Sequence, residues 1–245
     1  MARGRKMETH ANRLLGVLAP KALERLRPCL ERVPLELGQA LYRARKPVEF
    51  VYFVESGVVS LVTDEASGVT ADLATVGNEG VVGLPLLLGD VETRMTAHIR
   101  VPGVGLRMKA TQFKRELTRN ASLQTVMLRY VHLFVYTVAL SGLCHQFHSI
   151  EQRCCRWLLM TRDRMQSDGF AAKQEVIAMA LGAQRTGVSV VAGSLRRAGL
   201  ISYTRGNVHI IDRNGLENRA CDCYRVSKFE FTRFLDQQAR VSARD

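Results

Sequence analysis

The sequence predicts an α+β fold with a β-rich first half, one long central helix, and a compact unit of two short helices and a hairpin near the end. Three observations predict it. Short apolar runs separated by turn residues fill 33–108, an apolar stretch without proline spans 122–148, and Gly182 separates two short amphipathic segments.

The charge of the chain favours a polyanionic partner. The 245 residues carry a net charge of +12, and 28 of the 35 basic residues are arginine. Arginine suits bidentate contacts to phosphates and bases, so nucleic acid is the first expectation and an anionic membrane surface the second. An apolar content of 47% excludes a mostly disordered chain.

The sequence also predicts a cytoplasmic setting. The basic segment 1–10 has no apolar stretch behind it, so it does not resemble a signal peptide. No apolar run is expected to be long enough to cross a bilayer. Six unevenly spaced cysteines do not suggest a disulfide framework, which favours a reducing compartment.

The first half alternates between short elements. Apolar spacing predicts helix over 12–30, broken at Pro20, and the turn residues that follow are at the spacing of a small sandwich or barrel. The predicted strands are 50–55, 58–63, 69–76, 96–101 and 104–108.

The central stretch has a heptad pattern. Apolar residues recur at alternating spacings of four and three, at Val126, Tyr130, Leu133, Thr137, Leu140, Cys144 and Phe147. Such a seam is typical of a helix that packs along a partner helix, so we expect a dimer helix. The alternative is a helix that lies on its own barrel.

Beyond the next predicted helix, 151–164, the spacing indicates a helix-turn-helix unit. Gly182 suits the turn after the first short helix, predicted at 174–181, and Val188, Val191 and Leu195 form an inward stripe on the second, predicted at 185–197. A hairpin is predicted to pair 200–204 with 208–211 across 205–207, and helix over 216–239. The order predicts a winged helix-turn-helix; the alternative is an ordinary αα-hairpin.

Several segments together resemble the Crp/Fnr superfamily of bacterial transcription regulators over residues 12–225. They are VYFVESGVVSLV (51–62), VGNEGVVGLPLLLG (76–89), EQRCCRWLLM (151–160) and RAGLISYTRGNVHIIDR (197–213). The resemblance implies a homodimer that binds palindromic double-stranded DNA and, with it, RNA polymerase. It also implies four parts: a β-roll sensor of double-stranded β-helix (jelly-roll) type at 12–118, a dimerisation helix at 119–148, a winged helix-turn-helix at 149–225 and a helical tail at 226–245.

The segment that matches the family's phosphate-binding cassette is degenerate. Members that bind cyclic AMP carry Gly-Glu and then Arg-Ser/Thr-Ala; here the matching residues are Gly83, Leu84, Arg94, Met95 and Thr96. Leu84 replaces the glutamate and Met95 the hydroxyl residue, which removes hydrogen-bond partners of the ribose and the phosphate. We therefore expect no cofactor and no cyclic AMP; the effector is unknown. A ligand-independent or thiol-regulated member is the alternative.

The helical wheel of the second helix separates two groups of DNA-contacting residues. The face opposite the buried stripe holds the expected base-reading residues Arg185, Thr186, Ser189 and Val190, although Val190 alternatively completes the core. Residues at helix ends and the wing tip are expected to contact phosphates: Lys173, Gln174, Gln184, Arg197, Arg205 and Asn207.

Metal and catalytic sites are not expected. Cys29 stands alone in the first hundred residues, unlike the iron–sulfur members of the family. Cys144 and His148 share one helix, but the sequence shows no second ligand cluster to join them, and the Cys221-Asp222-Cys223 segment is expected to be structural. Of the adjacent Cys154 and Cys155, one is expected to be exposed, where a thiol switch is conceivable. No hydrolase or nucleotide-binding motif suggests an enzyme.

The expected function is therefore a sequence-specific DNA-binding transcription regulator. The alternative from another class is a β-roll interaction module that has no DNA target.

Overall fold

The computed structural model describes residues 11–64 and 70–242. Residues 1–10, residue 69 of the predicted strand 69–76, and residues 243–245 of the predicted helical tail lie outside the described residues. The strands are β1 (Glu31–Leu35), β2 (Ala40–Tyr42), β3 (Phe50–Asp64), β4 (Thr70–Val76), β5 (Val81–Val82), β6 (Thr96–Lys109), β7 (Gly169–Ala171), β8 (Ile201–Thr204) and β9 (Asn207–Ile210). The helices are α1 (Arg13–Gly16), α2 (Pro20–Leu26), α3 (Ala110–Arg119), α4 (Ala121–Phe147), α5 (Ile150–Met165), α6 (Gln174–Leu181), α7 (Arg185–Arg197), α8 (Arg213–Arg219) and α9 (Cys223–Ser242).

The fold is α+β, as the sequence predicts, with an antiparallel β-domain, a long helix and a C-terminal helix-turn-helix. Six strands form the first sheet in the order β1-β6-β3-β4, with β2 paired to β6 and β5 paired to β3. The second sheet has the order β7-β9-β8.

Two predicted strand breaks are bulges within continuous strands. β3 and β6 each run through the expected turn, and their pairing shifts register around Ser56. Gly57 has φ +100°, and a Cβ atom there would lie 2.8 Å from the Val101 carbonyl oxygen; a Cβ at Gly103 would overlap the Ser56 backbone. Paired glycines therefore let the two strands approach and bend together instead of ending.

The first hydrophobic core lies between the β-domain, α4 and α9. Leu123, Val126, Met127 and Tyr130 of α4 are buried in it, and so is Phe234 of α9. The predicted dimer seam is therefore wrong for its buried members, because the chain's own sheet and α9 cover them. Those members are Val126, Tyr130, Leu133 and Cys144.

The exposed apolar residues of α4 lie on the opposite face. Leu128, Val135 and Leu143 are 51%, 60% and 47% exposed, and they fall within about 80° of one another on a helix of 3.6 residues per turn. Since a helix that is apolar on all sides is normally buried on all sides, this face is suited to a partner.

The expectation that no apolar run is long enough to cross a bilayer is wrong, because α4 has the length and the apolar composition of a membrane-spanning helix. An 18-residue window of α4 has a mean hydropathy of 1.5, and 22% of that window is buried inside the chain. The histidines and hydroxyl residues of α4 lower its hydropathy too little to interrupt the run. Core helices of soluble proteins share these properties.

The second hydrophobic core surrounds α5, which packs against α6, α7, α8 and β3. Because neighbours surround this helix, Cys154 and Cys155 are both buried, and the expectation that one is exposed is wrong. Burial raises the pKa of both thiols, that of Cys155 to about 12. Both thiols are therefore protonated near neutral pH and poorly reactive.

The predicted C-terminal helix is two helices. α8 ends at Arg219, and the chain turns through Ala220, Cys221 and Asp222 before α9 begins. Phe231 and Leu235 join Phe234 in the first core, so α9 runs from the helix-turn-helix half back along α4.

A buried ion pair joins the two halves of the chain. Nη2 of Arg164, at the end of α5, lies 2.7 Å from Oε1 of Glu79, and Nε donates to the same oxygen at 3.0 Å. Arg164 also donates to the Thr75 hydroxyl and carbonyl oxygens. A Cβ at Gly77 would overlap the Arg164 side chain. Glycine at position 77 therefore leaves the space that the Arg164 side chain fills.

We expect Arg164→Ala to lower the free energy of unfolding by about 3–5 kcal/mol, because it leaves the Glu79 carboxylate buried without its cation. Arg162→Ala, which removes a more exposed ion pair from the same helix, is the matched control and should cost much less. Urea unfolding curves of both variants provide the comparison. Equal losses of unfolding free energy in the two variants would show that the buried ion pair contributes no more to stability than the exposed one.

Candidate nucleic-acid interface

The helix-turn-helix unit has the predicted bounds. α6 ends at Leu181, and Gly182 follows with φ +54°, the left-handed conformation that suits glycine at a helix C-terminus. α6 and α7 make an angle of 110°, within the usual range for this motif. Val188 and Leu195 of α7 are completely buried in the second core, to which Ile177 of α6 also belongs, and this burial fixes the rotation of α7 about its axis.

The solvent face of α7 holds the predicted base-reading residues. Arg185, Thr186 and Ser189 are exposed, and Val190 is 70% exposed. The alternative that Val190 completes the core is therefore wrong. Gly193 lies on the same face one turn later, with the Arg197 guanidinium Nη1 within 3.6 Å of its Cβ position.

Two of these side chains have partners on α6 that the sequence does not reveal. Arg185 Nε lies 3.1 Å from Oε1 of Glu175, an ion pair in which both side chains are more than half exposed. The Ser189 hydroxyl donates to Oε1 of Gln174 at 2.6 Å. Gln174, expected at a phosphate, thus lies beside an expected base reader. Glu175 was missed because its contact crosses the turn between the helices, where helical spacing gives no signal.

The wing is a hairpin with a two-residue turn, one residue shorter than predicted. Thr204 pairs with Asn207, so Asn207 belongs to β9 and the turn consists of Arg205 and Gly206. Both have positive φ, +49° and +81°, the type I′ geometry that matches strand twist. Arg205 and Asn207 are exposed.

The wing tip lies beside the start of α6. Ala172 N–H donates to the Gly206 carbonyl at 2.8 Å, and a Cβ at Gly206 would lie 3.2 Å from Cγ of Lys173. The Tyr203 hydroxyl donates to the Ala172 carbonyl at 2.8 Å, and partial burial raises the pKa of Tyr203 above its usual value. The structure thus brings Lys173 and Arg205 together at one edge of this surface.

The remaining expected phosphate contacts lie at the two ends of α7. Gln184 is the exposed residue before its first turn, and Arg197 is the exposed residue that ends it. Of the expected phosphate contacts, the exposed cations thus lie at the C-terminal end of α7 (Arg197) and at the wing (Lys173 and Arg205).

Most side chains of the degenerate cassette are directed into the β-domain. Leu84 and Met95 pack against the first core, and the buried Thr96 hydroxyl accepts a hydrogen bond from Ala44 N–H at 3.1 Å. Gly83 has φ +114°, and a Cβ there would lie 2.9 Å from the Val51 side chain.

Arg94 of the same segment is exposed and lines a surface depression together with Asp90 and Glu92. These carboxylates oppose the binding of an anion beside Arg94.

Two family models match the chain. A cyclic nucleotide-binding domain matches residues 32–120, and a Crp-like helix-turn-helix domain matches residues 152–219. No curated protein sequence matches significantly.

Solved structures share the fold. A CRP-family transcriptional regulator of Thermus thermophilus is 23% identical with a TM-score of 0.65, covering 77% of this chain and 96% of that chain. FixK2 of Bradyrhizobium japonicum is 16% identical with a TM-score of 0.67, covering 78% and 98%. The c-di-GMP-responsive regulator CLP of Xanthomonas campestris is 16% identical with a TM-score of 0.60, also covering 78% and 98%.

The two models occur in the order of the β-domain and the helix-turn-helix unit, and together they cover well over half of the chain. The chain therefore belongs to the Crp/Fnr superfamily of transcription regulators, with a cyclic nucleotide-binding-type domain joined to a Crp-like helix-turn-helix domain.

Proposed function

We propose that this protein is a cytoplasmic, homodimeric regulator that recognises a palindromic operator and acts on transcription through RNA polymerase. The observation that carries the proposal is the solvent face of α7, where Arg185, Thr186, Ser189 and Val190 are all exposed beside the wing. A helix presented in this way fits the major groove, with its N-terminal residues nearest the bases.

The ion pair between Arg185 and Glu175 suits a residue that exchanges partners on binding. Both side chains are exposed, so the pair is weak in water. A guanine presents two acceptors, O6 and N7, to the guanidinium, a stronger bidentate arrangement. Val190 offers an apolar surface to a thymine methyl.

The cations at the edges of the surface suit phosphate contacts. Lys173 and Arg205 lie together at the wing, and Arg197 lies at the far end of α7. Phosphate contacts position the protein without reading sequence. Variants at α7 and at the wing should therefore have different effects on binding.

We expect Arg185→Ala to weaken operator binding by about 1–3 kcal/mol. It should also relax the base preference at one position in each half-site, the same position in both. Val190→Arg should shift one position towards guanine. Arg205→Ala is the contrasting control. It should weaken binding to all DNA sequences alike and lower by about one the slope of the logarithm of the binding constant against the logarithm of the salt concentration. Selection from random DNA, followed by titrations at several salt concentrations, measures these effects.

Recovery of the wild-type motif by both α7 variants would contradict the assignment of the reading face. A changed base preference in Arg205→Ala would show instead that the wing reads bases.

The exposed apolar face of α4 is suited to a second copy of the chain. It continues from the sensor half to the DNA-binding half, and Leu128, Val135 and Leu143 follow it along the helix. A palindrome requires two recognition helices related by a two-fold axis, and a pair of parallel α4 helices supplies one.

Val135→Glu combined with Leu143→Glu should give a monomer with weak operator affinity, because it buries two charges in the helix pair. Leu37→Glu, at a similarly exposed leucine between β1 and β2, is the control and should remain dimeric. Light scattering distinguishes the two states. A stable dimer of the double variant would place the interface elsewhere.

The packing of Leu84 and Met95 supports a sensor domain that does not use cyclic AMP or cyclic GMP. Calorimetry on the ligand-stripped protein should detect no binding of either nucleotide at micromolar concentration, because the ribose and the phosphate would lose their hydrogen-bond partners. Micromolar binding would contradict this, and mass spectrometry of co-purifying small molecules would then identify the natural effector.

A further inference from the structure

Four potential metal ligands lie where the long helix meets the C-terminal helices. They are Cys144 and His148 at the end of α4 and Cys221 and Cys223 at the start of α9, and their ligand atoms all lie within 4.8 Å of one another. The first pair is four residues apart, with His148 immediately after the last residue of α4, and the second pair flanks Asp222. The fold therefore joins two pairs that are 77 residues apart at Cys144 and Cys221.

The closest distances agree with the edges of a tetrahedron around one zinc ion. Sγ of Cys144 lies 3.5 Å from Sγ of Cys221, and Sγ of Cys223 lies 3.7 Å from Nδ1 of His148. Zinc–sulfur bonds of about 2.3 Å and zinc–nitrogen bonds of about 2.0 Å imply S–S edges of about 3.8 Å and S–N edges of about 3.6 Å. Small side-chain movements would therefore suffice to seat an ion.

The surroundings of the cluster suit a structural site. Cys144, Cys221 and Cys223 are each at most 3% exposed, and the half-buried Leu140 packs against them. With four protein ligands and no open position, the arrangement resembles closed Cys3His zinc sites. Cys221 and Cys223 lie where the chain turns from α8 into α9, and both are buried against Cys144.

The charge of the surroundings also fits. Three thiolates, one imidazole and Zn²⁺ carry a net charge of −1, which a nearby cation stabilises. Arg156 of α5 is buried, and its Nε has no hydrogen-bond partner in the described part of the chain.

We propose that Cys144, His148, Cys221 and Cys223 form a zinc site that fastens the DNA-binding half of the chain to the end of α4. The site is distinct from the sensor cassette and from the reading face of α7. It spans the turn between α4 and α5 and the turn between α8 and α9, so a bound ion restrains the angle between the long helix and the winged helix. Soft thiolate ligands select zinc over magnesium or calcium.

The test uses the full chain, purified with a reductant under anaerobic conditions. Mass spectrometry should find about one zinc per chain, and Co²⁺ added after zinc removal should give the d–d bands and thiolate charge-transfer band of a tetrahedral site. Zinc should then displace the cobalt. Because this measurement uses the wild-type protein, it does not depend on the folding of any variant.

Cys223→Ser and His148→Ala should each weaken zinc binding at least ~10-fold, since even the loss of an outer partner of a metal site has an effect of that size. Cys29→Ser and His145→Ala are the matched controls, because neither residue belongs to the cluster, and both should keep one zinc per chain. A zinc chelator should lower the melting temperature of the wild type and leave that of Cys223→Ser unchanged.

Three results would overturn the proposal. The first is the absence of stoichiometric zinc or cobalt in the reduced wild-type chain. The second is a Cys144–Cys221 disulfide in its place, and the third is an iron–sulfur cluster. Equal loss of zinc in the controls would likewise place the metal elsewhere.

Discussion

The buried contact between Arg164 and Glu79 determines how the DNA-binding half sits on the β-domain. Arg164 leaves the end of α5 and directs its whole guanidinium into the β-domain, where it meets a carboxylate, a hydroxyl and a carbonyl. Glu79 also accepts a hydrogen bond from Gly77 N–H at 3.2 Å. Both charges are desolvated, so they are stable only together. Any rotation of the DNA-binding half would have to separate them.

The position of α7 follows from that contact. α5 carries Arg164 at one end and, through its packing with α6 and α7, orients the helix-turn-helix. In a dimer built on the exposed face of α4, the separation of the two α7 helices would depend on the angle between α4 and α5. The cysteine and histidine cluster lies at that corner, and Arg156 contacts Ser141 of α4 beside it. A change in the β-domain would therefore reach the helix-turn-helix unit through these polar contacts and through the packing of α5 and α9.

The sequence predicted those parts of the fold that depend on local signals. Gly182, the inward stripe Val188, Val191 and Leu195, and the bounds of α6 and α7 follow from helical spacing and turn chemistry. The predicted seam of α4 was wrong in its buried members because that helix is apolar on all sides, and spacing alone does not tell which side the chain's own sheet covers.

Contacts between distant segments were beyond sequence reasoning. Glu175 meets Arg185 only because the two helices cross, and Cys144 meets Cys221 only because α8 turns back towards α4. The placement of Cys154 and Cys155 failed for a related reason, since α5 is surrounded by neighbours that adjacent positions on one helix do not reveal. In each case the missing information was which surfaces the fold brings together.

The path of α9 has a consequence for how the chain folds. This helix begins next to the winged helix and ends with Phe231, Phe234 and Leu235 buried in the core of the β-domain. The C-terminal half therefore completes the first hydrophobic core, although the β-domain and the helix-turn-helix unit match two separate family models. A fragment that began at residue 149 would expose these aromatic side chains to water and tend to aggregate, so each half needs the other to become soluble, and we expect the chain to unfold as one cooperative unit.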